Sequence, residues 1–253
     1  MCVAILVESK RGPTATELAH MEAHNPHGGG VGFPSGTNIE YRRGLTARQI
    51  AKMLPQLPRP TLVHFRWATH GPRVPELCHP FPLGVAAFVR RTLRGRAPGV
   101  LVHNGVWNDA HRHCPRWQPY ERTSDTAVAA FMAGTGREDI LDQVPWSTAI
   151  MRSSGQGRAN VVLRGHWTEH NGDLYSNLNW QPVTASRWNW KDQSSRRWSR
   201  LNSGEVPLWD RDVDTIDRPP ISRDEVQDWW DEHRAANDAC SFPSEASESI
   251  RTK

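Results

Sequence analysis

The chain begins with Met1 and continues Cys2-Val3-Ala4-Ile5-Leu6-Val7, a cysteine followed by five apolar residues. An apolar run this short that ends at a polar break is typical of a strand with both faces buried. Because cysteine is small, we expect Met1 to be removed and Cys2 to become the first residue. Cys2 would then carry a thiol nucleophile and an α-amine whose ordinary pKa of about 7.7–8.0 suits a general base. The start of the chain therefore predicts a buried strand that follows a candidate catalytic cysteine.

Helices and further strands are expected along residues 14–176, without strict alternation. The helices are expected at Thr14–His24, Thr46–Leu54 and Ser124–Ala133, each beginning at a hydroxyl residue that can cap it. The strands are expected at 38–42, 61–67, 99–103, 159–163, 166–169 and 173–176, and a glycine-rich passage at 27–33 leads into another. Asn171-Gly172, between the last two strands, is a strong hairpin signal. This mixture favours an α+β layered domain over a doubly wound one.

Composition separates a predicted domain, residues 1–185, from an extension, residues 186–253. The domain carries 20 basic and 13 acidic side chains, a net charge of +7, whereas the extension carries 11 and 14, a net charge of −3. The extension is Trp/Arg-rich at first and acidic later, and it holds six of the twelve tryptophans. It has few aliphatic residues, so we expect it to be partly disordered.

The chain lacks the sequence features of membrane and secreted proteins. No stretch approaches 18 consecutive apolar residues, and Val3–Val7 is too short for a signal peptide and has no basic residues before it. The four cysteines are sparse and widely spaced, which indicates reduced thiols rather than a disulfide framework. We therefore expect a cytoplasmic protein without a membrane partner.

Polar residues cluster at expected strand ends and helix starts, where side chains can converge on a cleft. The clusters contain Arg66-Trp67-Ala68-Thr69-His70-Gly71, His79-Pro80-Phe81, His103-Asn104-Gly105 and Ser124-Asp125-Thr126. Two further motifs are Asn25-Pro26-His27-Gly28-Gly29-Gly30 before a strand and Tyr175-Ser176-Asn177 after short strands. With Cys2, their order and spacing resemble a class II glutamine amidotransferase domain of the N-terminal nucleophile hydrolase superfamily. The resemblance spans roughly residues 2–180.

This resemblance implies a four-layer αββα sandwich and an enzyme that cleaves the side-chain amide of glutamine through a Cys2 thioester. Asn104 and the Gly105 N–H would donate to the oxyanion. Arg66 would bind the α-carboxylate of the substrate, and Asp125 its α-ammonium. The pocket would also contain Trp67, Thr69 and His70, with His79, Gly28 and Gly30 as supporting residues. The resemblance implies neither a cofactor nor a metal.

Two positions depart from the family pattern. The residue before the first glycine of the Asn-Pro-x-Gly turn is often Asp or a similar residue, and here it is His27. The residue two before His-Pro-Phe is often Asn, and here it is Leu77. Both positions support the pocket in the family. The stretch 82–98 is also longer and more basic than the family pattern, so it is a candidate lid or docking surface.

Other chemistries fit the same residues less well. The spacing within His111–Cys114 is too tight for a structural zinc site, and the chain has no Cys-x-x-Cys to pair with it or with Cys78-His79. The glycines of Gly28–Gly32 precede a strand, whereas a dinucleotide loop joins a strand to a helix. The Trp/Arg segment 187–200 could stack on nucleic acid. We favour indoles packed on the domain with hydrated arginines, and do not expect a nucleic-acid partner.

Three functions remain open at this point. The released ammonia would pass to a separate synthase, because residues 186–253 are too few and too polar to form a synthase domain. The alternatives are a stand-alone γ-glutamyl amide hydrolase and a non-catalytic binding module of the same fold. The presence of Cys2, Asn104, Gly105 and Asp125 together argues against the module, which has no physical need for all four.

Overall fold

The computed structural model describes residues 2–84, 86–89 and 92–181. This part of the chain is mixed α/β, with antiparallel sheets and few helices, which agrees with the predicted α+β class. The predicted extension, residues 186–253, lies outside the described residues. Within the described part, no helix is long and apolar enough to cross a membrane.

The helices begin where hydroxyl side chains cap them. The α-helices are α1 (Ala15–His24), α2 (Ala47–Met53), α3 (Ala86–Val89) and α4 (Asp125–Gly134), and 3-10 turns lie at 54–56, 75–77, 108–113, 120–122 and 138–143. The Thr14 side chain accepts from the Glu17 N–H, and the Glu17 carboxylate accepts from the Thr14 N–H in return. Thr46 caps α2 in the same way, and Ser124 caps α4. The three predicted helices are confirmed, with ends that move by one residue.

The strands form two antiparallel sheets. The strands are β1 (Val3–Val7), β2 (Gly29–Ser35), β3 (Asn38–Leu45), β4 (Thr61–Phe65), β5 (Phe81–Pro82), β6 (Arg94–Ala97), β7 (Gly99–Asn104), β8 (Ser147–Gly155), β9 (Arg158–Arg164), β10 (Thr168–His170) and β11 (Asp173–Tyr175). The seven-stranded sheet has the order β10-β11-β1-β4-β2-β3-β6, and the four-stranded sheet has the order β5-β7-β8-β9. The predicted hairpin is confirmed, because Asn171 and Gly172 both have positive φ and join β10 to β11.

Alternate residues of β1 enter different hydrophobic cores. Val3, Ile5 and Val7 pack with residues of α1 and α2. Ala4 and Leu6 face the other way and pack with residues of β7 and β8 in the four-stranded sheet. A third core joins the opposite side of β7 and β8 to α4. Both faces of β1 are therefore buried, as its uninterrupted apolar sequence predicts.

The segment 78–80 packs very closely against the glycine-rich strand β2 and the residues before it. A Cβ atom at Gly30 would lie 2.0 Å from the carbonyl oxygen of His79 and 2.6 Å from that of Arg42. Gly28 has a φ of 96°, and a Cβ there would lie 2.7 Å from the Cys78 sulfur. Both positions therefore require glycine for space, and Gly28 also for conformation. Gly28 and Gly30, the predicted supporting glycines, therefore lie where the segment 78–80 packs against the larger sheet.

Strand β8 is absent from the predicted strands. Its apolar residues are only Ala149, Ile150 and Met151, which follow Ser147 and Thr148 and precede Arg152. Ser147 and Thr148 are nevertheless buried, because β8 lies between β7 and β9. Tertiary context thus selects a strand that the apolar pattern does not indicate.

Candidate active site

The first wall of the candidate site is formed where strand ends of the larger sheet meet. Val3, the first residue of β1, pairs with Phe65, the last residue of β4, and Phe65 also pairs with Gly29 of β2. Cys2 and Arg66 therefore lie next to each other, although 64 positions separate them. The Arg66 N–H donates to the Gly28 carbonyl at 2.9 Å, so the backbone ladder extends one residue beyond β4.

The Cys2 thiol is held against the backbone that follows β4. The Trp67 N–H donates to the Cys2 sulfur at 3.2 Å, and the same sulfur lies 3.4 Å from the Trp67 carbonyl oxygen. The Asn177 side-chain amide donates to the Cys2 carbonyl at 2.8 Å. Burial raises the pKa of the Cys2 thiol, although the Trp67 N–H and the Arg66 guanidinium oppose this effect. The resting thiol therefore needs a base to become a nucleophile.

The Arg66 guanidinium is fixed by carbonyl groups of the following loop. It donates to the carbonyls of Pro72 at 2.8 Å and His70 at 3.0 Å, and it is almost fully buried. Burial lowers the pKa of Arg66, while Cys78, Cys2 and Asp125 act in the opposite direction. The two carbonyls leave further N–H groups of its planar fork for an anion.

The loop 67–71 is attached to the turn at 120–123. The His70 ring stacks on Tyr120 with ring centres 4.0 Å apart, and its Nε2 atom lies 3.0 Å from the Tyr120 carbonyl oxygen. Gly71 has a φ of 71°, and a Cβ there would lie 2.0 Å from the Thr123 carbonyl oxygen. Trp67 is half-buried and Thr69 is exposed. The loop thus spans the distance between the larger sheet and the start of α4.

Asp125 begins α4 on the opposite wall, and its carboxylate is held by backbone groups. Oδ2 accepts from the Trp107 N–H at 2.9 Å, and Oδ1 accepts from the Thr126 N–H at 2.9 Å. The Thr126 hydroxyl lies 3.4 Å from Nδ1 of His103, whose Nε2 atom lies 2.9 Å from the Pro145 carbonyl oxygen. Buried side chains thus connect α4, the end of β7 and the segment before β8.

Asn104 and Gly105 end β7 at this same wall. Asn104 is buried, and its side-chain oxygen has no hydrogen-bond partner. A Cβ atom at Gly105 would lie 2.6 Å from Nε2 of His103 and 2.8 Å from the Pro145 carbonyl oxygen, so only glycine fits there. Gly105 borders the cleft that contains Cys2, whereas Asn104 does not line it directly.

Three buried histidines, His64, His79 and His103, contact one another, and two of them, His79 and His103, line the cleft. The rings of His64 and His79 have centres 3.8 Å apart, and the backbone N–H of His103 donates to Nδ1 of His79 at 3.5 Å. Burial lowers the pKa of His64 to about 3 and that of His79 well below its ordinary value. Burial also lowers the pKa of His103, which Asp125 partly opposes. All three rings are therefore neutral near pH 7.

Most of the predicted site residues border one narrow cleft. They are Cys2, Arg66, Trp67, Thr69, His70, His79, Gly105 and Asp125, joined by Ala68, His103, Ser124 and Thr126. Asn104, Gly28 and Gly30 do not line it. The cleft has a volume of only about 10 Å³, far below the roughly 300–1,000 Å³ of typical ligand pockets. A bound amino acid would need the loop 67–71 or its neighbours to move outward.

His27 and Leu77, the two positions that depart from the pattern of the resemblance, occupy different surroundings. Nδ1 of His27 accepts from the Ala68 N–H at 2.8 Å, and its ring lies 5.4 Å from that of Trp67. A ring nitrogen of His27 thus supplies an acceptor for the backbone of this loop. Leu77 is partly buried and packs against the core beside α4.

The described residues contain no group of three or more His, Cys, Asp or Glu side chains placed to hold a metal ion. Within the candidate set at 111–114, Nδ1 of His111 lies 2.9 Å from the Asn108 carbonyl oxygen. The His113 ring stacks on Trp107, and the Cys114 sulfur lies 3.4 Å from the Gln118 carbonyl oxygen. These three side chains thus have local partners.

Several residues of the site were not among the predicted site residues. Four of them belong to the motifs quoted from the sequence, namely His103, Ser124, Thr126 and Asn177. The motifs therefore indicated these positions, although the residues were not assigned a role. Trp107 contributes only a backbone N–H to Asp125. Every residue except proline has a backbone N–H, so the sequence could not have identified this donor.

No protein-family model matches this chain, and a search of curated proteins likewise gives no match.

Proposed function

We propose that this chain is a class II glutamine amidotransferase-type enzyme with the four-layer αββα sandwich of N-terminal nucleophile hydrolases. The three hydrophobic cores support this architecture. One core joins the two sheets, and the others join each sheet to helices. The layers would then follow as helices, large sheet, small sheet and helices.

The reaction in this proposal is hydrolysis of a γ-glutamyl amide. The Cys2 sulfur attacks the γ-carbonyl carbon, and the α-amine of a mature N-terminal Cys2 takes the thiol proton. The C–N bond breaks as the nitrogen receives that proton, which releases ammonia from glutamine and leaves a thioester on Cys2. Water then hydrolyses the thioester to glutamate and restores the thiol. In an amidotransferase, the ammonia passes to a separate synthase partner.

The two walls would divide the work of binding and catalysis. Arg66 would bind the α-carboxylate with its remaining N–H groups, and Asp125 would bind the α-ammonium. The Gly105 N–H and the Asn104 amide would donate to the oxyanion. Since Asn104 does not line the resting cleft, its amide would have to reach the oxyanion as the cleft opens for substrate.

One observation carries the proposal more than any other. Cys2, Arg66 and Asp125, which supply the nucleophile, the cation and the anion, border one cleft although they come from distant parts of the sequence. An α-amino acid with a side-chain amide would match all three groups. A binding module would use the two charges without the thiol.

The test is release of ammonia and glutamate from glutamine by the purified full chain, with its intact mass measured in the same sample. We expect turnover, a mass that lacks Met1, and loss of turnover in Cys2→Ala. Cys114→Ala is the matched control, because Cys114 is a partly buried thiol outside the cleft. Turnover that survives in Cys2→Ala, or active protein that retains Met1, would eliminate the proposed mechanism.

A further inference from the structure

An unusual aromatic residue, Trp146, lies beside the proposed oxyanion site. Its side chain is 61% exposed, and its backbone φ is 70°. A positive φ is a genuine outlier for a bulky residue and persists only where the surroundings enforce it. An exposed indole at a strained position contributes little to a core, so burial does not explain its presence.

The surroundings of Trp146 hold it from both sides. The Pro145 carbonyl lies 2.9 Å from Nε2 of His103, and the Ser147 hydroxyl donates to the His166 carbonyl. A Cβ atom at Gly165 would lie only 1.7 Å from the Trp146 carbonyl oxygen, so the backbone of Gly165 packs directly against it. The strained backbone is therefore fixed by contacts that begin at the site's own histidine.

The indole is adjacent to a residue that borders the cleft. A Cβ atom at Gly105 would lie 2.9 Å from Cδ1 of Trp146, so the indole edge is in contact range of Gly105. Val106, the next residue, is also an exposed apolar side chain. Trp146 and Val106 thus place apolar surface immediately outside the cleft, on the side of Gly105.

Amide geometry connects this surface to the substrate. In a trans secondary amide, the group on nitrogen lies on the same side as the carbonyl oxygen and away from the acyl chain. If the γ-carbonyl oxygen is directed toward the Gly105 N–H, a substituent on the amide nitrogen also leaves the cleft beside Gly105. Glutamine has no such substituent and would not use this surface.

We propose that Trp146 and Val106 form a subsite for the nitrogen substituent of secondary γ-glutamyl amides, with a preference for apolar or aromatic amines. This inference rests on the proposed function, because it uses the same nucleophile and oxyanion position. The chemistry is unchanged, except that the C–N bond cleavage releases a primary amine in place of ammonia. The substrate class would then be larger than glutamine.

The test compares three substrates with the full chain: glutamine, γ-glutamylmethylamide and γ-glutamylbenzylamide. The last two both release an alkylamine, so their ratio of kcat/KM reports mainly on contacts of the substituent. We expect the wild-type protein to prefer the benzylamide by about 10-fold, the effect expected of an aromatic contact with apolar burial. Trp146→Asn should bring this ratio close to one, because Asn tolerates a positive φ but has no ring.

Two further variants make the experiment specific. Trp146→Phe should keep most of the preference because it keeps a ring. Val162→Ala removes exposed apolar surface from β9, away from the residues that line the cleft, and should leave the ratio unchanged. A wild-type ratio near one, or an unchanged ratio in Trp146→Asn, overturns the subsite while glutamine hydrolysis keeps the proposed function. Hydrolysis of none of the three substrates overturns both.

Discussion

The two walls of the cleft are built differently. On the larger sheet, Cys2 and Arg66 follow from the pairing of adjacent strands, and backbone hydrogen bonds place both residues. On the opposite wall, Gly105 and Asp125 are placed by bonds that involve side chains, among them His103 to Pro145 and Asp125 to Trp107. The first wall thus depends on strand register, and the second depends on the identity of buried polar residues.

This difference determines which substitutions each wall tolerates. A backbone ladder remains in place when a side chain is shortened, so substitutions on the first wall should change binding and leave the position of the nucleophile intact. A buried polar network loses a partner with every substitution, and an unpaired buried group costs about 1–3 kcal/mol. Substitutions on the second wall should therefore change catalysis and stability together, except where a side chain has no partner to lose.

Asn104→Ala tests that exception and should have the largest effect. Its side-chain oxygen has no partner, so folding should lose little, whereas the oxyanion would lose one donor. We expect kcat for glutamine to fall by about 10²–10³. Alkylation of Cys2 by a simple electrophile should continue at the wild-type rate, because the thiol and its neighbours are untouched. Equal losses of alkylation and hydrolysis would show that Asn104 supports the structure instead.

Arg66→Lys tests the first wall and should have a smaller effect, on binding. Lysine keeps the charge but loses the planar fork that forms two parallel bonds with a carboxylate. We expect KM for glutamine to rise by about 10- to 100-fold, with a smaller fall in kcat. Steady-state kinetics separate the two parameters. A collapse of kcat at unchanged KM would mean that Arg66 does not bind the carboxylate and that the walls do not divide the work as proposed.

The three buried histidines, His64, His79 and His103, should make stability depend on pH, and this is the smallest of the three expected effects. Burial lowers the pKa of His64 to about 3, so between that value and about 6.5 the unfolded chain binds a proton that the folded chain does not. The free energy of unfolding should therefore decrease as the pH is lowered, by about 2 kcal/mol from pH 7 to pH 5 for this one group. Buried His79 and His103 act in the same direction.

Urea unfolding at the two pH values measures this dependence. His64→Gln serves as the matched variant, since its amide can donate to the His103 carbonyl as the ring Nε2 does, without titrating. The variant should lose less stability between pH 7 and pH 5 than the wild-type protein. Identical pH dependence in both proteins would show that His64 does not remain neutral in the folded state.

The sequence predicted the first wall better than the second, for the same physical reason. Strand β1 is a continuous apolar run and its partner β4 is rich in β-branched and aromatic residues, and their pairing brings Cys2 to Arg66. The second wall depends on β8, on the strained Trp146 and on the backbone N–H of Trp107. None of these has a local pattern, because tertiary packing produces the buried hydroxyls of β8 and the positive φ of Trp146. Asp125 was predictable, because a cap and a helix start surround it.

The hydrogen bond from Asn177 to the Cys2 carbonyl sets an order of events during protein synthesis. The two residues are 175 positions apart, a distance that takes about 9–35 s to translate at roughly 5–20 residues per second. Throughout that interval the N-terminus lacks one of the residues that hold it, so an aminopeptidase can reach Met1 before Cys2 becomes buried. We therefore expect trimming to precede folding, and the nucleophile to become competent only after nearly the whole domain has left the ribosome.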